Sequence, residues 1–180
     1  ALYNYQIFGY VFDMLRKTQL YEEHYVDPKG VTLTFPSCKR NIIHIYLESI
    51  ENAYLAKTSG GGQDVSYMPE LDALANQNIN FSHHNQIGGS LTLEGTQWTI
   101  ASMVGQEAGI PLLVPFNSKS YNDKSNFFSG VYTLGEILEQ HGYINEIMMG
   151  SDSNFGCTSN FYKQHGNYYI SDYNTAVEEG

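Results

Sequence analysis

The stretch Asn41-Ile42-Ile43-His44-Ile45-Tyr46-Leu47 constrains the fold more than any other part of the chain. It is an almost unbroken apolar, β-branched run that stops abruptly at Glu48. A run apolar at odd and even positions alike describes a strand covered on both faces, as in the centre of a parallel sheet flanked by helices. The remaining segments agree with that architecture. Met68-Pro69-Glu70-Leu71-Asp72-Ala73-Leu74-Ala75 reads as a short helix with Pro in its first turn. Ile79-Asn80-Phe81-Ser82 reads as a second strand. After the loop from Gly88-Gly89-Ser90 to Gly95, the segment from Thr96 to Val104 carries Ile100, Met103 and Val104 on one helical face, with Gly105 as its stop. Thr133-Leu134-Gly135-Glu136 matches a capping box that opens a helix ended by His141-Gly142. Tyr143-Ile144-Asn145-Glu146-Ile147-Met148-Met149 reads as a further strand, closed by Gly150-Ser151-Asp152. Strands alternating with helices imply an α/β fold with a largely parallel sheet flanked by helices. Ahead of it, residues 1–40 read as a helical lead-in and connector, with the breaker pair Asp27-Pro28, so the organised part spans residues 41–180.

Charge and composition narrow the function. Nine Lys plus Arg against nineteen Asp plus Glu leave a net charge of -10, the wrong sign for gripping a phosphate backbone, which excludes nucleic acid as the expected partner. No apolar run approaches the roughly 18 to 20 residues of a membrane-spanning helix, and the first residues lack a basic region followed by an apolar one. The chain as given is therefore expected to be soluble. Cys38 and Cys157, with no CxxC pair, exclude a disulfide scaffold or a Cys-built zinc site.

In open α/β sheets, ligands bind beyond the carboxyl ends of the strands. That rule picks out Glu48, a carboxylate able to offer hard oxygen ligands to Mg²⁺ or Mn²⁺, although the same residue could cap a following helix or face solvent. Thr96 is the second candidate. It follows a Gly-containing loop and opens a helix, where backbone N–H groups and the dipole favour an anion, and metal coordination would activate its hydroxyl as a nucleophile. A plain N-cap that satisfies the N–H of Thr99 is the competing reading, and Ser90 and Thr92 are rival hydroxyls. The segment from Gly150 to Gly156, with Asp152, and that from Asn160 to Tyr168, with His165, could line a pocket floor. His165 before Gly166 equally suits a helix C-terminus. Trp98 and the fifteen tyrosines read first as packing residues, with Trp98, Asp152 and His165 kept as candidate substrate contacts.

Taken in order, Asn41 to Ser49, Met68-Pro69-Glu70-Leu71, Gly95-Thr96-Gln97-Trp98-Thr99-Ile100-Ala101 and Gly109-Ile110-Pro111-Leu112 resemble the lipoteichoic acid synthase and phosphoglycerol transferase branch of the sulfatase-like alkaline phosphatase superfamily. Gly150-Ser151-Asp152 and Phe161-Tyr162 to His165-Gly166 fit the same pattern, so the resemblance covers roughly residues 25 to 180. It implies a sulfatase-like fold, present here in part, of an enzyme on the extracytoplasmic face of the cell membrane, tethered by helices absent from this chain. Such an enzyme takes phosphoglycerol from phosphatidylglycerol and passes it to a glycan or teichoic acid acceptor. The resemblance also implies one divalent ion, Mn²⁺ in the first instance, held by Glu48, by the nucleophile Thr96 and by a later Asp-His pair.

Two departures accompany it. Relatives of this type carry a basic residue shortly after the Phe-Gly pair, where this chain has Phe155-Gly156-Cys157-Thr158, and no later Asp-His pair occurs before Gly180. The expectation is thus the first half of a catalytic domain. An arylsulfatase would need Cys or Ser followed by Pro and Arg at the nucleophile, which Thr96-Gln97-Trp98-Thr99 lacks. A phosphatase or phosphodiesterase of the superfamily and a catalytically inactive envelope-binding module are the alternatives.

Overall fold

The computed structural model describes residues 19–113 and 126–179; the part of the helical lead-in read over residues 1–18 lies outside them. In chain order the elements are α1 (Leu20–His24), α2 (Pro69–Gln77), α3 (Thr99–Ala108), α4 (Leu134–Gln140), β1 (Glu146–Met148), α5 (Thr158–Gln164), β2 (Tyr169–Ser171) and α6 (Tyr173–Glu179). Single 3₁₀ turns lie at Pro28–Gly30, Asn52–Tyr54, Lys57–Ser59 and Phe155–Cys157. The chain divides into two compact units, one of residues 1–39 and 93–180, the other of residues 40–92.

The first unit is mixed α/β. β1 and β2 pair in parallel, with Glu146, Ile147 and Met148 opposite Tyr169, Ile170 and Ser171, and α5 provides the crossover that parallel strands require. The core is built on the buried faces of α3 and α5: Ile100, Ala101 and Val104 from the former and Phe161 and Tyr162 from the latter, closed by Leu112, Phe127, Ile147 and Cys157. Phe161 is fully buried, edge-on to both Phe127 and Tyr162. Neither cysteine is in a disulfide; Cys157 is buried and Cys38 exposed.

Among the described residues before position 40, Tyr21, Tyr25, Phe35 and Lys39 are tied to the first unit. The Tyr21 hydroxyl donates to Pro111 O (2.7 Å) and accepts from Leu113 N–H (2.7 Å), and burial pushes its pKa up. Tyr25 Oη accepts from Tyr132 N–H (3.0 Å). Phe35 stacks on His141 with ring centres 4.2 Å apart, and Lys39 Nζ donates to the His141 carbonyl.

The capping box forms as expected: Glu136 N–H donates to Thr133 Oγ1 (3.3 Å) and Thr133 N–H donates back to Glu136 Oε2 (2.9 Å). α2 starts on Pro69 as expected. α3 differs in register. It begins at Thr99 and runs through Gly105 to Ala108, with Gly109 in the left-handed conformation as its C-cap, because a lone Gly weakens a helix by only about 1 kcal/mol and packing of Ile100, Ala101 and Val104 overrides that.

The second unit holds α2, the 3₁₀ turns at Asn52–Tyr54 and Lys57–Ser59, and an isolated bridge between Ala56 and Gln63. Leu55 and Ile87 are its buried apolar residues. The strands expected over residues 41–47 and 79–82 are not formed: neither stretch joins a ladder, and Ile43 and Phe81 are 84% and 88% exposed. A strand exists only through a hydrogen-bonded neighbour. Apolar periodicity reports the readiness of these segments to be covered, and among the described residues no strand forms a ladder with them.

Candidate active site

Thr96 lies on a pinned turn rather than at the helix cap. Trp98 holds the N-cap position of α3 with no side-chain cap bond and is 42% exposed. Three residues before α3 begins, the Thr96 hydroxyl turns back on Leu93: it donates to Leu93 O (2.8 Å) and accepts from Leu93 N–H (3.0 Å), while Thr96 N–H donates to the same carbonyl (3.0 Å). The N-cap reading of Thr96 is thereby overturned, since an N-cap hydroxyl accepts from a backbone N–H further along the helix.

The turn itself is anchored at Gly95, where φ is +78°. Gly95 N–H donates to Gln97 Oε1 (2.8 Å), and Gly95 O accepts from Leu112 N–H (2.9 Å). A Cβ at this position would lie 2.8 Å from Leu113 Cδ2 and 2.9 Å from Pro111 Cβ. Only glycine fits both the backbone angle and the space. The result is a half-buried threonine on a turn fixed from both sides.

Glu48 belongs to the second unit, on an exposed turn whose next residue, Ser49, has φ +56°. Ser90 and Thr92 lie in the exposed stretch that closes the same unit. As donors, one carboxylate and one hydroxyl suit a hard divalent cation in kind, yet they fall short of the six or so oxygens such an ion takes. Among the described residues no group of three His, Cys, Asp or Glu is placed to hold a metal.

Asp152 stands beyond the C-terminal end of β1, where the fold rule puts ligand sites. It is exposed, and its Oδ1 accepts from Asn154 N–H and Asn154 Nδ2, each at 2.9 Å; these bonds hold its carboxyl below the usual carboxylate range. His165 is buried at the end of α5. Its Nδ1 lies 3.1 Å from Glu136 Oε2 and its Nε2 lies 3.1 Å from Phe127 O, so both ring nitrogens are engaged within the chain.

Sequence reasoning passed over Asp172. This buried carboxylate accepts from Ser153 N–H (3.0 Å), Thr175 N–H (3.0 Å) and Thr175 Oγ1 (3.1 Å), joining the loop after β1 to the start of α6. An Asp three residues ahead of a Thr, just before a helix, is the signal that marks it. The Ser153 hydroxyl, followed by the two backbone N–H groups, holds its carboxyl well below the ordinary carboxylate range. The charged form is thus favoured by folding, so its contribution is present above the unfolded pKa of about 4 and is lost as pH falls below it. Urea midpoints measured between about pH 3 and pH 6 are expected to fall more gently in Asp172→Asn than in wild type; equal slopes would sink this assignment.

With this geometry in place, comparison with known proteins gives a consistent result. The chain is 38% identical over 138 residues to phosphoglycerol transferase I of Escherichia coli O139:H28, a match covering 77% of this chain and 17% of that protein. Phosphoglycerol transferase I of Salmonella paratyphi B is 37% identical over 133 residues, covering 74% of this chain and 16% of the relative. The protein of the same name from Shigella boydii serotype 18 is 38% identical over 138 residues. The chain thus spans about one sixth of the length of these curated relatives. No protein-family model and no solved structure matches it. Over three quarters of its length the chain is a relative of phosphoglycerol transferase I, in keeping with the phosphoglycerol transferase branch that its motifs resemble.

Proposed function

We propose that the protein containing this chain transfers phosphoglycerol from phosphatidylglycerol to a glycan or teichoic acid acceptor at the extracytoplasmic face of the cell membrane, with Thr96 as nucleophile. The observation that carries the reading is a half-buried threonine on a glycine-locked turn within a chain related to phosphoglycerol transferase I. In the first half-reaction a bond forms between Thr96 Oγ and phosphorus while the bond from phosphorus to the diacylglycerol oxygen breaks, and the threonine proton ends on the departing diacylglycerol. In the second, an acceptor hydroxyl takes the phosphoglycerol and Thr96 regains its proton. The Leu93 peptide, which meets the hydroxyl with both its N–H and its carbonyl, orients the oxygen before attack. Asp152, Trp98 and His165 are the side chains proposed to contact substrate, the first two exposed and His165 buried.

The reaction is proposed to use a divalent cation, Mn²⁺ or Mg²⁺, for which Glu48 and Thr96 are each an oxygen donor suited in kind. Such an ion would lower the threonine pKa and offset the negative charge of the lipid phosphate. Among the described residues no helix is long and apolar enough to cross a membrane.

The covalent step is tested in the full-length protein with phosphatidylglycerol labelled in its glycerol headgroup, quenched rapidly without acceptor. Label is expected on the peptide bearing Thr96. Label on another residue removes Thr96 from the role, and diacylglycerol release with no protein-bound label removes the intermediate.

A further inference from the structure

We propose that Gly105 is a positioning residue for Thr96, its bare Cα forming the seat on which the threonine methyl rests. The inference builds on Thr96 being the nucleophile. A Cβ added at Gly105 would lie 3.3 Å from Thr96 Cγ2, tighter than most real contacts of that kind, and the other neighbour near it is Ile110 O at 3.9 Å. The position is otherwise roomy, lies inside α3, and has helical neighbours on both sides. Helix propensity alone would favour alanine there. What glycine uniquely provides is space for one methyl group.

That methyl is coupled to the reacting oxygen. In threonine, Oγ1 and Cγ2 branch from the same Cβ, and a single χ1 rotation moves both. The hydroxyl is held by Leu93 N–H (3.0 Å) and Leu93 O (2.8 Å), and the space beside the methyl is bounded by α3 at Gly105, where an added Cβ would stand 3.3 Å from it. Gly95, locked between Pro111 and Leu113, denies the backbone a compensating shift. A methyl at position 105 must therefore displace Cγ2 by a few tenths of an ångström, and Oγ1 turns with it. The same geometry explains why threonine rather than serine suits this turn: the methyl selects the rotamer that aims the hydroxyl.

The test is a double-mutant cycle in the full-length protein, with diacylglycerol release from phosphatidylglycerol giving kcat and KM, and Tm as the folding control. A misplacement of about 1 Å at a reacting group costs on the order of 100-fold, so Gly105→Ala is expected to lower kcat about five- to tenfold. KM is expected to stay within about twofold, and Tm to hold or rise by about 2–4 °C from the better helix former. Thr96→Ser removes the methyl and keeps the hydroxyl. In that background Gly105→Ala is expected to cost less than about twofold, because nothing remains to collide. The same loss in both backgrounds would make the effect a general one of the helix and overturn the proposal. So would an unchanged kcat for Gly105→Ala while Thr96→Ala is inactive, which leaves the nucleophile assignment standing. Wild-type activity in Thr96→Ala would overturn that assignment and this inference with it.

Discussion

The Gly166→Ala chain is expected to lose about 3–5 kcal/mol of stability, read as a fall in the urea or guanidinium midpoint at unchanged slope. Two independent costs add. Gly166 has φ +117°, a backbone conformation outside the range open to L side chains, which by itself costs about 1–3 kcal/mol. An alanine Cβ there would also lie 2.5 Å from Gly135 C and 2.8 Å from Gly135 Cα, backbone atoms that cannot swing aside, and overpacking of that kind adds about 1–3 kcal/mol. Gly135 is itself closely surrounded, since a Cβ there would meet Tyr168 Cε2 at 2.4 Å and His165 O at 2.6 Å. Buried Asn145 rivets the pair, donating from Nδ2 to Gly135 O (2.8 Å) and Gly166 O (2.7 Å). This is where the start of α4 crosses the turn between α5 and β2, so a loss here strains the sheet and both helices together. A total stability of about 5–15 kcal/mol leaves little margin, and a midpoint within error of wild type would refute the close-approach argument.

In the full-length protein, Thr96→Ala is expected to lower transfer by at least about 10³-fold, equivalent to roughly 4 kcal/mol at the transition state. A covalent nucleophile has no substitute in the turn, because the carbonyl and N–H of Leu93 that surround it cannot attack phosphorus. The structural cost is small by comparison. Alanine forfeits two hydrogen bonds to one exposed residue, about 1 kcal/mol each, while the backbone bonds from Thr96 N–H to Leu93 O and from Leu112 N–H to Gly95 O remain. A variant that melts within a few degrees of wild type yet retains no activity is thus the expected pairing, measured by circular dichroism and lipid turnover on the same preparation. Residual activity above about one tenth of wild type would show that another group supplies the nucleophile.

Several elements were legible because their causes are local. The capping box at Thr133 and Glu136 depends on side chains three residues apart, and it formed where the spacing put it. Pro69 at the start of α2 follows from the missing N–H of proline. β1 could be placed, although only three of its expected residues pair. The motifs around Thr96 carried the relationship to phosphoglycerol transferases, which the comparison with known proteins supports. What the sequence by itself determined, then, was the α/β character and the helix boundaries set by caps and prolines, while Thr96 stood out only as a candidate through the resemblance.

Tertiary structure decided the rest, because the deciding contacts join residues far apart in the chain. Residues 41–47 are apolar enough for a buried strand, yet pairing is a property of two segments, and they stand exposed. Nothing in the neighbours of Thr96 foretells that Gly95, on which its turn is anchored, is closed in by Pro111 and Leu113. His165 and Asp172 took their places by the same route, one through Phe127 and Glu136, the other through Ser153. Local propensity acts over a few residues, whereas close packing and hydrogen-bond satisfaction act between whichever surfaces the fold brings together.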